Sequence, residues 1–258
     1  MARSASRQGQ RKLAFVIGIG KYDNINKLSN PENDANDMSS ALESIGFTVT
    51  QAAHLNRVEM QQAIVKFENS IHPGDMVLFY FAGHGVQWKD QNYLLPIDIP
   101  NPKNVNLSGN KNKAKNKNLI GITIRAQDVL NTLSDRSPFV IIFLLDCCRT
   151  YHLRNPELDQ WGAGDSEPAD FKSMEKAGSL IAFACAPGTE ADEGQGQRNG
   201  LFTKHLLQHI KTPNEDVAIM LRTVKEGVKN DPSSKQIPFL NDGLVKKNIF
   251  LNHRPQGT

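Results

Sequence analysis

Cysteine is scarce in this chain. Only three occur in 258 residues, Cys147, Cys148 and Cys185, and two of them are adjacent. Neighbouring cysteines pair poorly, so a disulfide framework is excluded and a reducing compartment, the cytoplasm, is expected. An excess of charge of one sign is lacking too. Thirty Lys+Arg against 27 Asp+Glu leave a net charge of +3, which does not fit a general nucleic-acid binder, and no nucleic-acid partner is expected. No apolar run approaches the roughly 20 residues of a membrane span, so no membrane partner is expected. The polar, basic residues 1–11 have no apolar centre; they read as a disordered tail and not as a secretory signal. A third glycine is missing after Gly18-Ile19-Gly20, where Lys21-Tyr22-Asp23 follows, which argues against a dinucleotide-binding turn. No internal repeat is visible.

What the chain does have is a series of short, dense apolar runs. Leu13-Ala14-Phe15-Val16-Ile17, Met76-Val77-Leu78-Phe79-Tyr80-Phe81-Ala82, Phe139-Val140-Ile141-Ile142-Phe143-Leu144-Leu145 and Leu180-Ile181-Ala182-Phe183-Ala184-Cys185 read as strands buried on both faces of a parallel sheet. Residues 47–51 alternate as a further strand. Between them lie helical stretches. One starts at Asn30-Pro31-Glu32 and stops at Gly46, and one opens with a capping box, Asn56 and Glu59. Others cover residues 124–133, 201–210 and 217–228. Ile237-Pro238-Phe239-Leu240 fits an edge strand, where proline is tolerated. The alternation predicts an α/β fold with a mostly parallel sheet covered on both sides. The Asn/Lys-rich residues 103–118 and the Gly/Pro-containing residues 150–178 read as loops.

Two of the buried runs end in reactive groups. Gly83-His84-Gly85 follows one and Asp146-Cys147-Cys148-Arg149 the other. Chemistry in such sheets gathers beyond the carboxyl ends of strands. If the two strands are neighbours, His84 and a thiol share a rim, the imidazole favours the thiolate, and a nucleophile results. His84 would then pass the proton to a leaving amine, and the Gly85 amide would face an oxyanion. Each piece also has a plain reading: His84 as a surface or capping residue, the cysteine as a small apolar filler, Asp146 as a turn cap. Spacing alone leaves both open.

With these residues in view, the chain resembles the caspase-like cysteine peptidases, nearest to the paracaspases. The resemblance rests on Tyr80-Phe81-Ala82-Gly83-His84-Gly85 and Leu144-Leu145-Asp146-Cys147-Cys148-Arg149. It extends through Val16-Ile17-Gly18, Asn33-Asp34-Ala35, Leu95-Pro96-Ile97-Asp98 and Gly200-Leu201-Phe202-Thr203. It implies a three-layer α/β sandwich around a six-stranded, mostly parallel sheet flanked by helices. One peptidase domain would cover residues 12–252: a large part at 12–149, a flexible linker at 150–178 and a small part at 179–252.

The resemblance makes Cys148 the nucleophile, two residues after the acid, and His84 its partner, with backbone amides of Gly85 and Cys148 as the oxyanion hole. Strand alternation agrees, since Asp146 and Cys148 share a side and Cys147 takes the other. True caspases carry a Gln where Asp146 stands. In paracaspases and metacaspases the matching acid lines a pocket for a basic P1 residue. Asp34 and Glu193 resemble its other acids, although a helix-cap role and a solvated loop remain alternatives. Cleavage after Arg, with Lys weaker, is therefore expected. Arg154, Lys172 and Lys176 are candidate autoprocessing sites. A homodimer through the edge strand, protein or peptide substrates, no cofactor and no metal complete the expectation. The alternatives are a catalytically silent scaffold of the same fold and a calcium-dependent metacaspase-like peptidase.

Overall fold

The computed structural model describes residues 10–88, 91–100, 121–147, 174–187, 189–192, 194, 196–233 and 235–254. The densest apolar runs form Lys12–Gly18 (β1), Met76–Ala82 (β3) and Val140–Asp146 (β7), and nearly every residue in them is buried. A strand that is apolar on both faces must lie inside a covered sheet, and these three are its centre. Thr48–Ala53 (β2), mostly exposed, forms one edge. Ser179–Phe183 (β8) and Phe239–Asp242 (β9) complete the order β2-β1-β3-β7-β8-β9. All neighbours are parallel except β8 and β9.

Alternation along the strands sorts the core into two layers. Phe15, Phe79, Phe143 and Phe183 face the side covered by Arg57–Glu68 (α2) and Ala126–Ser134 (α3). Val16, Tyr80, Leu144 and Ala182 face Pro31–Ser44 (α1), Leu201–His209 (α4) and Val217–Asn230 (α5). The result is the expected three-layer sandwich. The capping box at Asn56 and Glu59 is closed in both directions, a contribution of about 1 kcal/mol.

Several boundaries differ from expectation. Asp146 is the last residue of β7, not the first beyond it. The edge strand β9 starts at Phe239, so Pro238 precedes it and costs no ladder bond. Residues 124 and 125 belong to a strand, not to the following helix. Gly85–Trp88 (β4), Gln91–Leu94 (β5) and Ile124–Arg125 (β6) form a small antiparallel sheet in the order β4-β5-β6. Residues 103–118, and residues 150–173 of the expected linker, lie outside the described residues. Among the described residues no helix is long and apolar enough to cross a membrane.

Candidate active site

The site begins with one register. β3 and β7 pair in parallel with Ala82 opposite Asp146, and the Gly83 amide donates to the Asp146 carbonyl at 3.3 Å. His84 follows Ala82 by two residues, as Cys148 follows Asp146. Cys148 itself, with Arg149, Arg154, Lys172 and Glu193, lies outside the described residues.

The chain can turn out of β3 because position 83 is glycine. A Cβ there would lie 2.8 Å from the Tyr22 hydroxyl and 3.0 Å from both the Ile19 carbonyl and the Phe81 ring. That hydroxyl replaces a ladder bond. His84 stands opposite Leu95 across the β4–β5 ladder, and the Leu95 amide donates to the His84 carbonyl at 3.1 Å. The return bond is split by the phenol: the His84 amide donates to Tyr22 Oη at 2.7 Å, and Tyr22 donates to the Leu95 carbonyl at 3.2 Å. In such a ladder the next residue, Gly85, directs its amide away from β5.

The imidazole is fixed by two contacts. Its ring lies against Tyr22, with centroids 4.7 Å apart. Its Nε2 is 2.8 Å from the Asn26 carbonyl. A carbonyl only accepts, so Nε2 carries the hydrogen and Nδ1 keeps its lone pair. Burial pushes the His84 pKa down, and the bond to Asn26 only partly opposes this. The ring is neutral and basic at Nδ1.

Asp146 and Cys147 point to opposite faces. Cys147 is 4% exposed and packs in the core layer below the sheet with Phe143 and Leu145. Asp146 points to the α4 side. There it accepts from Thr203 Oγ1 at 2.6 Å, and Thr203 Oγ1 lies 2.5 Å from Tyr80 Oη. Asp34, on α1, accepts from the Gly200 amide at 3.1 Å. The two carboxyls meet at Gly200, where a Cβ would lie 3.3 Å from Asp34 Oδ2 and 3.5 Å from Asp146 Oδ2. Their surroundings raise both. Burial, then the neighbouring Asp146, pushes Asp34 up to about 8. Burial pushes Asp146 up to about 6, against the hydrogen bonds from Thr203.

Asp34, Asp146 and His84 line one hollow of about 60 Å³, together with Gly83, Cys147 and Asp192. No Lys or Arg lines it among the described residues. A larger cleft of about 810 Å³ shares Ala191 and Asp192 with it and runs on to Lys204, Asp231 and Lys235. Gln236 braces its wall, accepting from the Asp192 amide at 2.6 Å and donating to the Ala184 carbonyl at 2.7 Å.

Of the residues singled out from sequence, His84, Asp34 and Asp146 come together, with Gly85 beginning β4 directly after His84. Lys176 does not join them. It lies just before the amino end of β8, on the far rim, and its carbonyl accepts from both Ser179 Oγ at 2.7 Å and the Ser179 amide at 3.1 Å. Tyr22, Asn26, Asp192, Gly200 and Thr203 were not singled out for the site. The signal for Gly200, Thr203 and Tyr80 was available, because all three stand inside the motifs that carry the resemblance.

Residues 11–249 match the caspase domain. The human mucosa-associated lymphoid tissue lymphoma translocation protein 1 is 26% identical over 251 residues, covering 96% of this chain and 27% of that protein. Its mouse homolog is 26% identical over 217 residues, 83% of this chain and 23% of that protein. Metacaspase-1 of Lodderomyces elongisporus is 30% identical over 92 residues, 31% of this chain and 20% of that protein. The chain thus spans about a quarter of the length of the human and mouse relatives.

Proposed function

The chain belongs to the caspase-domain family of cysteine peptidases, and on that premise we propose that it is a paracaspase-type endopeptidase cutting after arginine, and less well after lysine. The observation that carries this is the pair of buried carboxyls, Asp34 and Asp146, in the same hollow as His84. Among the described residues the hollow gathers three acids, Asp34, Asp146 and Asp192, and no Lys or Arg, which suits a cationic side chain. A planar guanidinium can bond both carboxyls at once, which an ammonium does less well. An acidic P1 residue would meet like charge and be rejected. Glu193 would add a further acid.

In this reading the Cys148 thiol gives its proton to His84 Nδ1, and the thiolate attacks the scissile carbonyl. The amides of Gly85 and Cys148 receive the oxyanion. The imidazolium returns the proton to the amine as the C–N bond breaks, and the acyl-enzyme is hydrolysed by a water that His84 deprotonates. The neutral, Nε2-protonated imidazole supports that role, and so does the Gly85 amide directed away from β5. The burial of Cys147 supports Cys148 as the reactive thiol. The wide cleft beyond Asp192 suits the residues preceding P1.

The same reading makes the enzyme a cytoplasmic homodimer paired along β9, with Arg154 or Lys172 as sites of self-cleavage. The turn that holds the Lys176 carbonyl disfavours a cut there. A fluorogenic peptide with Arg at P1 tests the function. Turnover is expected in the intact chain, insensitive to EGTA, and absent in Cys148→Ala. No Cys148-dependent turnover on basic peptides would leave a silent scaffold, and EGTA-sensitive turnover would restore the calcium-dependent reading.

A further inference from the structure

Two buried carboxyls, Asp34 and Asp146, share the hollow, and their partners decide which of them carries the charge when the hollow is empty. Like charges this close do not both ionise readily; they titrate as a pair. The surroundings of the two acids differ. Behind Asp146 stand two hydroxyls in series. Thr203 Oγ1 lies 2.6 Å from Asp146 Oδ2, and Tyr80 Oη lies 2.5 Å from Thr203 Oγ1. An ionised carboxylate only accepts, so Thr203 gives its proton to Asp146 and takes one from Tyr80. Both residues are fully buried, Tyr80 on β3 and Thr203 on α4, so they hold this geometry on rigid elements without competition from water. Burial also keeps the Tyr80 phenol protonated, since its pKa lies well above the ordinary value. Asp34 receives the Gly200 amide at 3.1 Å and a hydrogen bond from the Asn199 side chain, while the Asp37 carboxylate nearby works against its ionisation. Asp192, the other acid on the hollow, accepts from the Gly194 amide at 2.8 Å.

We propose that Thr203, backed by Tyr80, is a positioning residue that fixes the negative charge on Asp146 and aims it into the hollow, leaving the exchangeable proton to Asp34. The proposal rests on the hollow taking a basic side chain. It gives a task to Tyr80 and Thr203, two buried motif residues that stand behind the hollow and do not line it. Entry of a guanidinium then pairs first with Asp146 and drives the proton off Asp34. Binding of a basic ligand releases a proton, and recognition strengthens as pH rises through the range in which Asp34 titrates.

The experiment compares the full chain with Thr203→Val, Thr203→Ser and Tyr80→Phe. Valine keeps the shape and loses the donor; serine restores it. With an Arg-P1 fluorogenic peptide, Thr203→Val is expected to raise KM about 10-fold or more, the scale of a lost bond to a charged group. It should leave kcat within about 3-fold and move the KM–pH profile to higher pH. Thr203→Ser stays near the parent, and Tyr80→Phe shifts in the same direction by less. Benzamidine binding, measured by calorimetry in two buffers of different ionisation enthalpy, should release close to one proton in the parent at neutral pH and more in Thr203→Val. A folded Thr203→Val with unchanged KM, pH profile and proton release overturns the relay. So does a Thr203→Ser as impaired as the valine variant, which would mean packing alone. If the valine variant does not fold, a Tyr80→Phe profile identical to the parent overturns it equally. A parent that neither cleaves after Arg nor binds benzamidine overturns the basic-pocket reading itself, a result distinguishable from all of these.

Discussion

At the scale of single residues, the site turns on two carboxyls that are held partly protonated. Asp34 titrates at about 8 in the fold, against an ordinary value of 3.8. The folded chain therefore holds a proton at pH 6 that the unfolded chain has lost. The sign follows from linkage: stability is fully present below about pH 4 and falls as pH rises toward 8. The decline is on the order of a few kcal/mol. Asn at position 34 cannot ionise, so Asp34→Asn should flatten it. Melting temperatures of the parent should drop between pH 5 and 8, while those of Asp34→Asn stay nearly level. In the same variant, kcat/KM for Arg peptides should no longer climb over that range. A parent whose melting temperature rises across the interval would contradict the assignment. The strain is placed where a ligand relieves it: a site destabilised when empty and neutralised by a cation is built for recognition, not for stability.

At the scale of elements, the parity of β7 decides which thiol is available. Asp146 and Cys147 take opposite faces, and Cys147 is packed in the core beside Leu145. Cys147→Ala should keep turnover within about 3-fold and cost about 1 kcal/mol of stability, whereas Cys148→Ala should abolish turnover. The reverse pattern in a peptide assay would refute the parity argument. The turn after β3 makes a second prediction. Tyr22→Phe removes the hydroxyl that fills the gap between the His84 amide and the Leu95 carbonyl, and it should lower kcat about 10-fold with little change in KM. An unchanged kcat would mean the ring stacking alone holds His84. Much of this was legible in the sequence. The runs behind β1, β3, β7 and β8, the Asn56–Glu59 cap and the ends carrying His84 and Asp146 are local signals, strong because each is dense or chemically distinctive. The β4–β5–β6 sheet was not legible. Its strands are two to four residues long, too short for periodicity, and Tyr93 meets Arg125 only through tertiary closure. Tyr22 was missed for the same reason: only the approach of a distant turn gives its hydroxyl a task. Thr203 and Tyr80 stood in motifs, but their contact joins α4 to β3 and has no local trace.

At the scale of the whole molecule, strand order sets the arrangement. β3 and β7 are central neighbours, so their carboxyl ends place His84 and Asp146 on one rim, while α1 and α4 bring Asp34 and Thr203 over it. The sheet then ends in two edges. β9 is a four-residue, half-buried strand, and Ile237 just before it is 45% exposed. Pairing of two copies there should give a dimer by light scattering, and Leu240→Asp should shift it to monomer with reduced turnover. A parent that stays monomeric at all concentrations would exclude that edge as an interface. The central claim is that an acid-lined hollow beside His84 reads a basic residue for a thiolate nucleophile. A P1 scan on a peptide library tests it most directly, run with the intact chain and with Cys148→Ala. The account predicts cleavage after Arg, weaker cleavage after Lys, none after Asp, and silence in the variant. Preference for an acidic or apolar P1 residue, or cleavage that survives in Cys148→Ala, would contradict it.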